Sequence, residues 1–129
     1  MALRIVRLGS PRTVDEGLRI GTVRRPPRGV PASQFASQDW YDVWYPELSP
    51  SAELVKLATT AHSAAQWDLF FKRFRREMAL PTASRTIGLL AALSHAADFS
   101  IGCYCEDESR CHRSVLRELF GARSAEIAS

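Results

Sequence analysis

Phe99-Ser-Ile-Gly-Cys-Tyr-Cys-Glu-Asp-Glu-Ser-Arg-Cys-His-Arg-Ser-Val-Leu-Arg-Glu-Leu-Phe120-Gly121 is the stretch in which the hydrophobic period changes, and it decides the fold class. Phe99 to Tyr104 is an apolar run of strand length, which predicts a buried strand. Glu106 to Arg110 is a short polar loop. Val115, Leu116, Leu119 and Phe120 then recur at helical spacing and run into Gly121, a residue type that ends helices. A strand, loop and helix in that order, following a helix, is the second half of a βαβ unit and calls for a parallel sheet.

The elements upstream fit that frame. Leu3 to Leu8 alternates apolar and charged residues and predicts a first strand, closed by the turn chemistry of Gly9-Ser-Pro11. Leu18 to Val23 predicts a second, and Trp40 to Tyr45 is aromatic and β-branched, fitting a third strand or an irregular segment on the core. Ser49-Pro50-Ser51 predicts a helix from about Pro50 to His62. Trp67, Phe70, Phe71, Phe74 and Met78 share one face of a second, with Lys72, Arg73, Arg75 and Arg76 turned outward. Pro81 and Thr82 open a third, expected to run out near Asp98. The class is therefore α/β: a small, largely parallel sheet of about three to four short strands packed by about four helices, in a single domain over residues 1–129.

Composition narrows the function classes. No run approaches the roughly 18 apolar residues of a membrane span, and the N-terminal residues lack a signal-peptide pattern, so a cytoplasmic location without membrane association is expected. Three cysteines leave one unpaired in any disulfide scheme, which favours free thiols. The net charge of +3 argues only weakly for nucleic acid, because it is not gathered into one run.

The chemistry concentrates in Cys103, Cys105, Cys111, His112 and Arg113. Residues 103 and 105 are two apart at the end of the predicted strand and share a face. Ser109 is expected to cap the final helix, which would put Cys111, His112 and Arg113 in its first turn. There the helix dipole favours an anion and lowers the Cys111 thiol pKa, so Cys111 is expected to be the most reactive of the three. The cluster fits three chemistries. Cys103, Cys105, Cys111 and His112 are the donor set for a metal, zinc or iron. Cys111, His112 and Arg113 could act as nucleophile, acid/base and anion clamp. Two of the thiols could also close a redox disulfide.

Three motifs carry a family resemblance. Trp44-Tyr-Pro-Glu47-Leu48-Ser-Pro50-Ser51, the aromatic series Trp67, Phe70, Phe74 with Glu77, and Cys111-His112-Arg113-Ser-Val-Leu116 together resemble the bacterial and archaeal "domain of unknown function 488" family, particularly its short YeaO-like members. The resemblance implies a fold and names no activity. Arg24-Arg25-Pro26-Pro27-Arg28-Gly29 departs from the Arg-Leu-Trp-Pro-Arg-Gly segment common in that branch, keeping one proline and the final Arg-Gly.

Arg28, Glu47 and Arg113 are the residues expected to bind substrate, a small anionic molecule. The leading expectation is metal-dependent or thiol chemistry on that molecule. The competing one is a non-catalytic regulatory or nucleic-acid-binding module that uses the arginine-rich aromatic helix.

Overall fold

A computed structural model describes residues 1–128. Four strands form one sheet in the order β1-β4-β2-β3, every pairing parallel: β1 Leu3–Arg7, β2 Leu18–Gly21, β3 Val43–Trp44 and β4 Phe99–Cys103. The last strand in sequence is thus inserted between the first two, with Phe99 level with Leu3 on one side and Leu18 on the other. All five residues of β4 are buried, as its unbroken apolar run requires.

The two faces of the sheet are covered differently. Leu3, Ile20, Phe99 and Ile101 point to one face and share a core with all four helices: α1 Ala52–Thr60, α2 Ala64–Met78, α3 Pro81–Leu93 and α4 His112–Ala122. In α2 that stripe is Phe70, Phe74 and Met78, and fully burying each such side chain stabilises by roughly 1.5–3 kcal/mol. Arg19 and Ser100, in register with each other, point to the opposite face. There, buried Glu16 binds both, at 2.6 Å from Arg19 Nε and 2.8 Å from Ser100 Oγ.

Several helix ends differ from the sequence expectation because hydrogen bonding, not composition, sets them. Ser51 caps α1 through its hydroxyl, which accepts from Leu54 N, so Pro50 precedes the helix. The capping box of Ser63 and Gln66 starts α2 and leaves His62 in the linker. The third helix stops at Leu93 because Ser94 and His95 receive the C-terminal segment: Ser94 Oγ accepts from Glu126 N, and His95 Nε2 donates to Ser124 O. That segment also bonds to Leu3 and covers the free edge of β1. Gly121 lies inside α4, and Ser124 takes the left-handed position beyond it. No helix among the described residues is long and apolar enough to cross a membrane.

Candidate functional site

The cluster sits where β4 ends and α4 begins, at the carboxyl edge of a parallel sheet. β4 stops at Cys103, so Cys105 lies in the following loop and not on the strand. Gly102 allows that strand to sit close to β1, since a Cβ there would meet Val6 O at 2.8 Å and Leu8 Cδ2 at 2.7 Å. Ser109 does not cap the final helix. Asp107 caps a short 3-10 turn, Glu108–Arg110, by accepting from Ser109 N, and Cys111 itself is the residue at the N-cap of α4. Its sulfur makes no capping bond to the free N–H groups of the helix and is directed instead to Cys103, His112 and Arg113.

The three sulfurs converge. Cys103 Sγ is 3.1 Å from Cys111 Sγ and 3.4 Å from Cys105 Sγ, and all three cysteines are free. His112 completes the group with Nδ1 at 3.7 Å from Cys111 Sγ. The donor atoms of Cys103, Cys111 and His112, all buried residues, lie within 4.8 Å of one another. The other imidazole nitrogen, Nε2, stands 2.7 Å from Thr22 O. A carbonyl can only accept, so Nε2 carries a proton there and Nδ1 is the ring nitrogen turned toward the sulfurs. Phe74 of α2 packs edge-on against the imidazole at 5.3 Å and fixes its plane.

Arg113 turns inward, not toward solvent. It is 4% exposed, donates from Nε to Cys111 Sγ at 3.5 Å and from Nη2 to Cys105 O at 2.5 Å, and has no carboxylate within ion-pair distance among the described residues. The thiols do not titrate alike. Hydrogen bonds from Cys103 and Cys105 hold the Cys111 thiol far below its ordinary range, against the opposing effect of burial, with His112 adding to the lowering. The Cys103 thiol is driven far up because it donates to Cys105 and Cys111 and is buried. Cys105 is lowered by the hydrogen bond from Cys103, but its own bond to Cys111, burial and the Cys111 charge outweigh that and push it up to about 11. The opposed directions make Cys111 the thiol of the three that gives up its proton first.

Cys111 is 2% exposed, whereas Cys105 is open to solvent. Reactivity toward an alkylating agent needs both charge and access; the pKa of the Cys111 thiol is lowered by its Cys103, Cys105 and His112 neighbours and not by the helix terminus, and its sulfur is buried.

A cleft of about 780 Å³ opens over the cluster. Its floor is Cys103, Cys105, Cys111 and His112, its walls include Pro50, Val55, Trp67 and Phe70, and Arg24, Arg25, Lys56 and Arg110 stand around it with Glu53 as the lone acid. Arg24 is held by the carbonyls of Pro50 and Pro46, while the Arg25, Lys56 and Arg110 side chains make no hydrogen bond or ion pair among the described residues. Glu47 is exposed on the 3-10 turn Pro46–Leu48 and lines neither this cleft nor the one containing Arg28. Arg75, on the basic face of α2, is bound to Glu118 of α4 at 2.7 Å. Sequence reasoning missed Thr22, because a backbone carbonyl acts through position alone. It also missed the apolar walls, whose aromatic residues read equally well as core.

No curated protein matches the chain, and no solved structure matches it. One family model, described as the "Active DUF488-N3 subclade", matches residues 3–124, a span that takes in the four strands, the aromatic helix and the Cys-His-Arg sequence, and the chain belongs to that DUF488 family.

Proposed function

We propose that Cys103, Cys111 and His112 ligate a transition-metal ion, zinc or iron, with exposed Cys105 as a displaceable fourth donor, and that the centre serves chemistry on a small anionic molecule held in the apolar cleft. One observation carries the reading: the sulfurs of Cys103 and Cys111 and a nitrogen of His112 lie within 4.8 Å of one another, with Cys105 Sγ 3.4 Å from Cys103 Sγ, while the other imidazole nitrogen is fixed to a backbone carbonyl. Backbone orientation of the second ring nitrogen is the usual outer-shell arrangement of a metal-bound histidine. The spacings also fit. In a tetrahedron with metal–sulfur bonds of about 2.3 Å and a metal–nitrogen bond of about 2.0–2.1 Å, sulfurs stand about 3.7 Å apart and nitrogen about 3.6 Å from sulfur. Against the observed 3.1, 3.4 and 3.7 Å, the Cys103–Cys111 pair must open by about 0.6 Å and the Cys103–Cys105 pair by about 0.3 Å, while the nitrogen is already at its distance.

Charge supports the same reading. A dication with three thiolates carries one net negative charge, and buried Arg113 supplies the balancing positive one. A bound ion of this class would supply Lewis acidity at the floor of the cleft, and the unpaired cations around it suit an anionic ligand. The description of the matched subclade as active is in keeping with a catalytic centre.

Metal analysis of protein purified without chelators should find about one zinc or iron per chain, lost in a Cys103→Ser/Cys111→Ser variant. A second reading, a redox thiol pair, is favoured by the closeness of the sulfurs, which must close by roughly 1 Å to reach the disulfide length of about 2.05 Å. Metal-free protein that loses two hydrogen masses on mild oxidation, and takes up no metal when reduced, would replace the first reading by the second.

A further inference from the structure

We propose that a second cleft, which shares Tyr104 with the first, binds a nucleotide unit: a flat heteroaromatic base joined to a phosphate. The cleft measures about 790 Å³, within the usual range for small-molecule sites, and lies beside the carboxyl ends of β1 and β4. Two aromatic rings line it, Trp40 and Tyr104, with centroids 5.8 Å apart at 77°. Two cations line it as well, Arg7 and Arg28, and no carboxylate does.

Those cations are not occupied as their neighbours are. Arg12 is bound to Asp42 at 2.7 Å and to Asp39 at 3.3 Å. Arg28 makes no hydrogen bond or ion pair among the described residues, and Arg7 reaches only Tyr104 O at 3.4 Å and the exposed Glu106 at 3.5 Å. An unpaired Arg28 and an Arg7 held only by a long, exposed contact to Glu106 favour an anion that they can grip with paired N–H groups, and phosphate has that geometry. The aromatic side is held firmly. Gly9 has φ of +89° and lies so close to Trp40 that an added Cβ would sit 2.9 Å from its ring, so the ring rests directly on the turn after β1. Tyr104 is anchored by its hydroxyl, which donates to Arg25 O at 2.9 Å.

Fixed aromatic rings beside an unpaired arginine and a weakly held one are the arrangement that receives a base by stacking and its phosphate by charge. Inorganic phosphate would leave the rings unused, and an apolar ligand would leave the arginines unpaired. The site does not depend on the metal reading, since no cysteine lines it.

Calorimetric titration of the full chain at low salt tests the inference, using the four ribonucleoside monophosphates, adenosine, inorganic phosphate and a single-stranded hexadeoxyadenylate. At least one monophosphate should bind tenfold or more tightly than adenosine and phosphate. Arg28→Ala and Arg7→Ala should each weaken it fivefold or more, with unchanged melting temperature, and Arg73→Ala on α2 should leave it unaltered. A hexanucleotide that binds more tightly than any monophosphate, with affinity falling steeply in salt, would identify a nucleic-acid strand as the source of the unit; the opposite order would identify free nucleotide. The inference is overturned if no monophosphate binds better than phosphate, or if both arginine variants bind as the parent does.

Discussion

Two arginines are buried in this protein, and they are satisfied in opposite ways. Arg19, fully buried, gives two hydrogen bonds to the Glu16 carboxylate and two to the carbonyls of Ser10 and Asp39. Arg113 has one carbonyl and one sulfur. The first arrangement closes on itself: charge, donors and acceptors all balance within one network that ties β2 to β4 and to the loops around residues 10 and 39. The second balances only if the sulfur is a thiolate. A buried cation without a carboxylate imposes an electrostatic demand on its surroundings, and here that demand falls on the residues that can ligate metal or do thiol chemistry. The comparison separates a polar core built for structure from one built around reactive atoms.

Breaking the closed network should have the largest effect. Glu16→Ala strands the Arg19 guanidinium in the core and should cost about 3–5 kcal/mol in urea unfolding, most of it recovered by Glu16→Leu/Arg19→Met, which removes both charges. Equal stability of the single and double variants would show that the pair is not the source. Phe74→Ala, on the other side of the sheet, should cost about 3–5 kcal/mol by leaving a cavity against the His112 ring. A loss below about 1 kcal/mol there would mean that the helix packing is more forgiving than its burial indicates.

Opening the Arg113 arrangement should cost less. Cys111→Ala removes the single bond that Arg113 gives to sulfur, where Glu16→Ala removes two to a carboxylate, so the expected loss in metal-free protein is about 1–3 kcal/mol. A loss as large as that of Glu16→Ala would place the two arginines in one class. The smallest effect is the pH response of the closed network. Burial alone would raise the Glu16 carboxyl, but the hydrogen bonds from Arg19 and Ser100 outweigh it and hold it below its ordinary range. A depressed carboxyl contributes stability that is fully present above its unfolded value of about 4.3 and is lost as pH falls through its folded value. The melting temperature should therefore drop below about pH 4, and that drop should be shallower in the charge-free double variant.

How much of this was readable beforehand follows from the range of each interaction. The parallel α/β class, the core face of α2 and the position of β4 were legible, because Phe99 to Cys103 and the spacing of Phe70, Phe74 and Met78 are periodic signals carried by near neighbours. The convergence of the cysteines was legible too, since a strand end and the following helix start are bound to be close. Helix ends were less so, because the C-terminal segment that stops α3 at Leu93 comes from more than 30 residues later in the chain.

What the residue order determined on its own is the stock of donors and their local grouping: sulfur, imidazole and guanidinium within eleven residues, Cys103 to Arg113. Only the tertiary structure decided what each donor faces. Thr22, ninety positions away in sequence, sets which nitrogen of His112 looks at the sulfurs. Leu8, Val23 and Tyr41, from three distant segments, bury Cys103 and Cys111 in one cluster, while Cys105 is left open. Arg113 is committed to the cluster because no acidic side chain reaches it there, and Arg28 is left to a separate cleft because none reaches it either. Burial, tautomer and charge balance depend on atoms brought together from distant positions, and no local period in the sequence encodes them.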